Sequence, residues 1–217
     1  MKKNSFLVFW DWNGTIVNDS WLFVDILNTF LNKKKLPPLT VEDYRRLFCF
    51  PIEKFYKKIN LYSNKQDFQK TSEEFISIYR KRFFEPRLVT HIQNIIQSLS
   101  DLGVEQVVLS AQNQNDLDRS VKFYGLSDSF SGIYGVKNIL ALGKVDLAKN
   151  IKKKFNIKKT LVVGDTSLDY DVASALGSDC ILVSWGHYSS RRLAALSPVL
   201  CSSVSSLEKL ILDFTKR

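Results

Sequence analysis

The chain has 217 residues, of which 31 are basic and 22 acidic, so its formal charge at pH 7 is +9. Apolar residues make up 45% and charged residues 24%, which excludes collagen-like, disulfide-rich and largely disordered chains. The apolar run Phe6–Trp10 is too short for a membrane span or a signal-peptide core. Three cysteines without CxxC spacing favour a reducing cytosol over a disulfide framework or a zinc site. We expect a cytoplasmic protein of one domain with a large insertion, or of two small domains.

The excess of positive charge permits nucleic acid, an acidic membrane surface or a small anionic substrate as a partner. Two lysine runs, residues 33–35 and 152–154, are candidates for phosphate-backbone contacts. A solvated helix end and a solvated helix face account for them more simply, and no zinc-finger or RNP-type motif accompanies them. We therefore expect no nucleic-acid partner and no membrane partner, while the oligomeric state is not predicted.

The first predicted strand, Phe6–Trp10, is followed by a segment that contains no strand-like run, from about residue 18 to 87. Within it, Thr40 is expected to cap a helix and Pro51 to break one. Two helical stripes are predicted there, Trp21, Val24, Leu27 and Leu31, and Phe68, Phe75, Tyr79 and Phe83. With 14 basic and 9 acidic residues, this segment is predicted to be a small helical domain that acts as a basic lid and suits an anionic substrate.

The rest of the chain alternates apolar runs with helical stripes. Further strands are predicted at Gln106–Leu109, Thr160–Val163, Cys180–Val183 and, more weakly, Gly132–Val136. Helices are predicted around Ile92–Leu102, Val145–Phe155 and Ser167–Leu176. This alternation is typical of an α/β fold, a doubly wound parallel sheet with helices on both faces. The predicted α/β core comprises residues 1–17 and 88–217, and the helical domain comprises residues 18–87.

Polar residues that suit one chemistry follow the predicted strands. Asp11 follows the first, Ser110 the second, and Asp165 and Asp169 the third, while Lys144 begins the helix before that third strand. Ligands of open α/β sheets bind at the carboxyl ends of the strands, so these residues are expected to converge. Carboxylates suit Mg²⁺, and a lysine and a hydroxyl suit a phosphoryl group. A carboxylate can also attack phosphorus to form an acyl phosphate.

These residues, in this order, resemble the motifs of the haloacid dehalogenase-like (HAD) hydrolases over nearly the whole chain. Asp11-Trp12-Asn13-Gly14-Thr15 is similar to the family's DxDGT motif, and the helical insertion resembles its C1 cap. Among subgroups, the chain is most similar to phosphoglycolate phosphatase-like members. The resemblance implies a HAD-like Rossmannoid core, with Asp11 as the nucleophile that forms a phospho-aspartate.

The resemblance also implies a set of binding residues. Mg²⁺ would be held by Asp11, the main-chain carbonyl of Asn13, Asp165 and Asp169. The phosphate would contact Asp11, Trp12, Ser110, Ala111 and Lys144. The expected substrate is a small phosphorylated metabolite whose identity the sequence does not reveal.

One position departs from the family pattern. The second aspartate of DxDGT, the family's general acid and base, is replaced by Asn13. An amide cannot shuttle a proton, and general acid–base catalysis contributes roughly 10²–10⁴-fold, so a slow phosphatase is expected. Two alternatives stay open at this stage. One is a phosphate- or metabolite-binding protein with little or no turnover, and the other is a C–P or C–X bond hydrolase of the same superfamily.

Three further residues are candidates for contacts with the rest of the substrate. Arg45 and Arg46 of the helical segment are candidates for a distal anionic group, with a solvated helix face as the simpler explanation. His187 lies beyond the fourth predicted strand, at the same sheet edge as Asp11. It is a candidate for approaching the substrate, but a histidine on a surface loop is the simpler explanation and the one we expect.

Overall fold

The computed structural model describes residues 6–137, 143–196 and 199–216. Its centre is a six-stranded sheet formed by β1 Phe6–Trp10, β4 Glu105–Asn113, β5 Gly132–Val136, β6 Lys159–Gly164, β7 Asp179–Val183 and β8 Leu200–Cys201. The strands lie in the order β5-β4-β1-β6-β7-β8, and all neighbouring strands are parallel. The predicted doubly wound α/β fold is confirmed, and the order places β1 between β4 and β6.

The apolar runs form a parallel sheet because helices cover both of its faces. Along β1, Val8 and Trp10 belong to one buried cluster, while Leu7 and Phe9 belong to another on the opposite face. Side chains of a strand alternate between faces, so a strand buried on both sides must be apolar throughout. All five residues of β1 are buried.

Helices of the α/β core pack on the two faces of this sheet. They are α5 Ile92–Asp101, α6 Gln114–Phe123, α7 Lys144–Phe155, α8 Ser167–Leu176, α9 Ser190–Ala194 and α10 Val204–Lys216, with a short 3-10 helix at Ser127–Ser129. Residues of α5, α6 and α10 join the cluster that contains Trp10, and residues of α7 and α8 join the cluster that contains Phe9. The second lysine run lies in the last turn of α7, where positive charge favours a helix end.

Residues 18–87 contain four helices, α1 Ser20–Lys33, α2 Val41–Leu47, α3 Ile52–Lys58 and α4 Lys65–Arg82. Thr40 caps α2 as predicted, because its hydroxyl accepts a hydrogen bond from the amide of Asp43 at 3.0 Å. Of the first predicted stripe, Val24, Leu27 and Leu31 are buried, whereas Trp21 is exposed. In the lysine run at the end of α1, Lys33 and Lys34 form exposed ion pairs with Glu74 and Asp67 of α4.

A two-stranded antiparallel ribbon connects the helical segment to the sheet domain. Its strands, β2 Val17–Asn18 and β3 Arg87–Leu88, pair at the two junctions where the sequence predicts the division of the chain. Two-residue strands are too short to show an alternating pattern, so the expected absence of strands from 18 to 87 was wrong at both ends. The division into an α/β core and a helical domain stays a prediction. Among the described residues, no helix is both long and apolar enough to span a bilayer.

Candidate active site

The predicted site residues meet at the carboxyl edge of the sheet, where β1, β4 and β6 lie side by side. Asp11 follows β1, and Asp165 follows β6. Ser110 lies within β4, because that strand continues beyond the apolar run to Asn113. A ligand is expected at such an edge, where the chain crosses from one side of the first strand to the other.

Three carboxylates and one lysine form the centre of the site. Oxygens of Asp11, Asp165 and Asp169 all lie within 4.8 Å of one another, and Lys144 and all three acids are buried. The Nζ atom of Lys144 lies 2.6 Å from Oδ1 of Asp11 and 2.6 Å from Oδ1 of Asp169. Burial by itself lowers the pKa of Lys144, but the two carboxylates outweigh it and raise that pKa above its usual range.

Burial and mutual repulsion disfavour the charged forms of these carboxylates, and Lys144 offsets only part of this for Asp11. Burial and the charge of Asp169 raise the pKa of Asp11 well above its usual value. Burial and Asp169 also raise the pKa of Asp165 to about 6, although His187 acts in the opposite direction. A hard divalent cation prefers carboxylate oxygens and would relieve this repulsion, so the donor set fits Mg²⁺.

A tight turn holds the residues after Asp11 against the third carboxylate. The amides of Ile16 and Val17 donate to the carbonyl of Trp12 at 2.9 and 3.0 Å. At its centre Gly14 has φ +76°, and a Cβ there would overlap Oδ2 of Asp165. Only glycine combines this left-handed backbone with so close an approach. The hydroxyl of Thr15 donates to Oδ1 of Asp165 at 3.1 Å.

The Asn13 side chain is held by a residue that the sequence reasoning missed. Its Nδ2 atom lies 2.6 Å from Oδ2 of Asp19 and 2.6 Å from the hydroxyl of Tyr79, which itself donates to Asp19 at 3.0 Å. The amide of Gly14 donates to Oδ1 of Asp19 at 2.9 Å. Asp19 directly precedes α1, so the signal available in the sequence would have indicated a helix cap. Its carboxylate instead turns towards Asn13.

His187 is part of this buried network, so the expectation of a surface-loop histidine was wrong. Its Nδ1 atom lies 2.8 Å from the hydroxyl of Tyr44, its Nε2 atom 3.3 Å from Oδ1 of Asp19, and its amide donates to Asp165 at 2.5 Å. Burial lowers the pKa of His187, but the contact with Asp19 outweighs it and raises the pKa. The aromatic ring of Phe23 packs against the imidazole at 4.8 Å.

A cavity of about 160 Å³ opens from these residues into the helical segment. Asp11, Asn13, Ser110, Ala111 and Lys144 line its sheet side, together with His187. Its other wall is formed by apolar and aromatic side chains of α1, α3, α4 and the turn between α2 and α3.

The two arginines named from the sequence do not line this cavity. The guanidinium of Arg45 donates to the main-chain carbonyls of Trp185 and Gly186. Arg46 is exposed and pairs with Asp43 at 2.7 Å. Arg45 therefore holds the loop that carries His187 against the helical segment, and neither arginine forms part of the cavity lining.

The remaining predicted phosphate contacts are placed as follows. The hydroxyl of Ser110 is buried and accepts from the amide of Gln112 at 3.1 Å, and Ala111 follows it on the cavity wall. The indole of Trp12 is buried and donates to Ser120 at 2.9 Å. The phosphate-binding role of the Trp12 amide stays a prediction.

Comparisons with known proteins agree with this architecture. A predicted phosphatase from Clostridium acetobutylicum has 20% identity and a TM-score of 0.82, covering 96% of this chain and 99% of its own. A haloacid dehalogenase-like family hydrolase from Streptococcus pneumoniae has 19% identity and a TM-score of 0.79, covering 97% and 100%. A predicted phosphoglycolate phosphatase from Haemophilus somnus has 17% identity and a TM-score of 0.77, covering 97% and 99%.

The search of curated protein sequences found no match. At these identities the solved structures show the fold alone. The family model described as haloacid dehalogenase-like hydrolase, in contrast, matches residues 8–183, which is most of the chain and includes Asp11, Ser110, Lys144 and Asp165. The chain belongs to the haloacid dehalogenase-like hydrolases.

Proposed function

We propose that this protein is a Mg²⁺-dependent phosphatase that hydrolyses a small phosphomonoester through a phospho-aspartate at Asp11. One observation carries the proposal: Asp11 lines a cavity, 2.6 Å from Lys144 and within 4.8 Å of Asp165 and Asp169. A binding protein would need positive charge for phosphate, but it would not need a buried carboxylate facing the same space. Structural relatives described as phosphatases support this choice.

The residues that would hold the cation are the carboxylates of Asp11, Asp165 and Asp169 and the main-chain carbonyl of Asn13. When bound, Mg²⁺ would neutralise charge on the phosphoryl oxygens during transfer. The fit rests on the donor chemistry and on the raised pKa values of Asp11 and Asp165, which reflect burial first and repulsion from Asp169 second.

In the first chemical step, Oδ2 of Asp11 attacks phosphorus and the bond to the leaving oxygen breaks. Among the described residues, nothing is hydrogen-bonded to Oδ2, whereas Oδ1 accepts from Lys144. The ammonium of Lys144 and the hydroxyl of Ser110, which both line the cavity, would bind phosphoryl oxygens. In the second step water attacks phosphorus, the bond to Asp11 breaks, and phosphate and a free carboxylate are formed.

The network around Asn13 supports slow turnover on poor leaving groups. Both protons of its amide are donated away from the reaction centre, one to Asp19 and one to Tyr79. An alkoxide leaving group therefore receives no proton from this position. Leaving groups that depart as stable anions, such as nitrophenolate, need no such proton.

We further propose that the helical segment, residues 18–87, acts as a cap over the site. Phe23 and Phe75 of the segment form part of the cavity wall opposite Asp11. Caps of this kind exclude water that would otherwise solvate the reacting groups. A cytoplasmic location is also proposed, in keeping with the three free cysteines.

Phosphate release from 4-nitrophenyl phosphate in the presence of Mg²⁺ tests the proposal. Asp11→Asn should abolish release, because an amide is a poor nucleophile and a weaker ligand for Mg²⁺. Asp171→Asn, an exposed acid on α8, is the matched control and should retain wild-type activity. Release that survives Asp11→Asn, or that does not depend on a divalent cation, would contradict the proposed mechanism.

A second candidate is a phosphate-binding protein with little turnover, which the engaged amide of Asn13 favours. The same assay separates the two functions. This candidate predicts Mg²⁺-dependent binding of phosphate with no release from any aryl phosphate.

A further inference from the structure

The wall of the cavity opposite Asp11 is apolar, although the segment that forms it is basic. Its side chains are mainly aromatic and aliphatic, represented by Phe23, Phe48, Phe50, Ile52, Phe75 and Ile76. Many of these rings contact one another, with centroids 5.2 Å apart for Phe23 and Phe75 and 5.3 Å for Phe48 and Phe50. Ring packing of this kind gives a continuous apolar surface rather than isolated hydrophobic residues.

The cations near the cavity already have partners. Among the described residues that line it, Lys144 is the only lysine or arginine, and it bridges Asp11 and Asp169. The carboxylate of Asp116 also lines the cavity and pairs with Arg80 at 2.8 Å. The guanidinium of Arg45 lies outside the lining and donates hydrogen bonds to the main-chain carbonyls of Trp185 and Gly186.

A second anionic group on a substrate would therefore enter the cavity without a free positive charge among the described residues. Burying a charge without a partner is costly, whereas burying an apolar group in such a cavity is favourable. The volume of about 160 Å³ has to hold the phosphoryl group as well, so the enclosed organic part can be no larger than about one aromatic ring. An apolar protein cavity of roughly 150 Å³ holds one benzene ring.

We infer that the substrate is a phosphomonoester whose organic part is compact, apolar and uncharged, of about the size of a single aromatic ring. This rests on the proposed function, because it assigns the phosphoryl group to the Asp11 end of the cavity. It departs from the expectation of a basic lid that selects a small substrate with a second anionic group. The basic residues of the segment contribute charge elsewhere, as Lys33, Lys34 and Arg46 do on its surface.

Binding of three phosphonates, measured by calorimetry with Mg²⁺ present, tests this inference without requiring turnover. Phenylphosphonate and 4-carboxyphenylphosphonate share the head group and the ring, and differ by one carboxylate, which adds a charge and three heavy atoms. Methylphosphonate keeps the head group and lacks the ring. We expect phenylphosphonate to bind at least about tenfold more tightly than either of the other two. Equal or tighter binding of the carboxylated probe, or no binding of any probe, would overturn the inference.

Ile52 allows the charge argument to be tested within the protein. It lines the cavity, is half-buried and opens α3, so a longer side chain can be accommodated there. Ile52→Arg should improve binding of 4-carboxyphenylphosphonate relative to phenylphosphonate by about tenfold or more. The control Ile52→Leu should keep the wild-type preference. If Ile52→Arg still binds phenylphosphonate and its preference between the two probes is unchanged, the organic part of the ligand does not lie against this wall and the inference is refuted.

Phosphate release from phenyl phosphate and 4-carboxyphenyl phosphate separates this inference from the proposed function. The carboxylated compound has the slightly better leaving group, so intrinsic reactivity opposes the preference that we expect. Release from both compounds without preference would overturn the substrate class and leave the phosphatase standing. Selective phosphonate binding without any release would overturn the phosphatase and leave the ligand class standing.

Discussion

The exchange of Asn13 and Asp19 tests the role of the missing acid more sharply than a single substitution does. Asn13→Asp alone would place a second carboxylate oxygen where Nδ2 now lies, 2.6 Å from Oδ2 of Asp19. Two unit charges 4 Å apart repel by about 4 kcal/mol at an effective dielectric constant of 20. The single variant must therefore trap a proton between the two carboxylates or lose stability.

The double variant Asn13→Asp/Asp19→Asn keeps one carboxylate and one amide in the same pair, with their places exchanged. The new amide can donate to the carboxylate introduced beside it, and its oxygen can accept from the amide of Gly14 as Asp19 does now. The second oxygen of the new carboxylate then becomes available to the leaving group. General acid catalysis is worth roughly 10²–10⁴-fold, which sets the scale of the expected gain.

The assay compares kcat for benzyl phosphate, whose leaving alkoxide needs a proton, with kcat for 4-nitrophenyl phosphate, whose leaving group does not. The double variant should accelerate benzyl phosphate by about 10²-fold or more and change 4-nitrophenyl phosphate little. Asp19→Asn alone is the control and should accelerate neither substrate. If the double variant binds Mg²⁺, melts like wild type and shows no gain on benzyl phosphate, the reasoning about Asn13 is refuted.

Three other predictions concern the metal site and its support. Gly14→Ala should lower the free energy of unfolding and abolish Mg²⁺ binding, because the new Cβ would overlap Asp165. The control is Gly125→Ala, at a glycine with the same left-handed backbone but open space around it. In urea unfolding, Gly125→Ala should lower the free energy of unfolding by only about 1–2 kcal/mol. Lys144→Met should destabilise the metal-free protein by about 3–5 kcal/mol, since it leaves two buried carboxylates without their cation; an unchanged urea midpoint would contradict this. Protons compete with Mg²⁺ for Asp165, whose pKa is raised to about 6, so calorimetry should find the affinity for Mg²⁺ high at about pH 8 and falling as pH drops through about 6. An affinity that does not change with pH would contradict the raised pKa of Asp165.

Much of the sheet could be predicted because its strands are buried on both faces. The predicted strand Phe6–Trp10 and the predicted helix Ser167–Leu176 coincide with the observed elements. Strand β4 was predicted to end at Leu109 but extends to Asn113, since its last residues are polar and line the cavity instead of the core. The two-residue strand Leu200–Cys201 carries too little pattern to be recognised.

The grouping of the candidate site residues could be predicted because the carboxyl ends of parallel strands meet at one edge of the sheet. Asp11, Lys144 and Asp165 meet where that rule places them. Asp19 could not be found this way, because a carboxylate before a helix has the same local signal whether it caps the helix or binds Asn13. The partners that decide its role, Tyr79 and His187, are distant in sequence.

The composition of the helical segment also could not predict that its wall of the cavity is apolar. A count of basic residues gives the net charge of a segment without the direction in which each side chain points. In the structure Lys33 and Arg46 face solvent, while Phe23 and Phe75 face the cavity. Charge therefore describes the outer surface of the segment, and the apolar stripe of its helices describes the side that faces the cavity.

The most direct measurement is a search for the phospho-aspartate itself. The protein would be mixed with 4-nitrophenyl phosphate and Mg²⁺, quenched in acid within one turnover, digested and examined by mass spectrometry. We expect one phosphoryl group on the peptide that contains Asp11, and none on that peptide in Asp11→Asn. Steady release of phosphate with a phosphoryl group on another residue would contradict the assignment of Asp11 as the nucleophile.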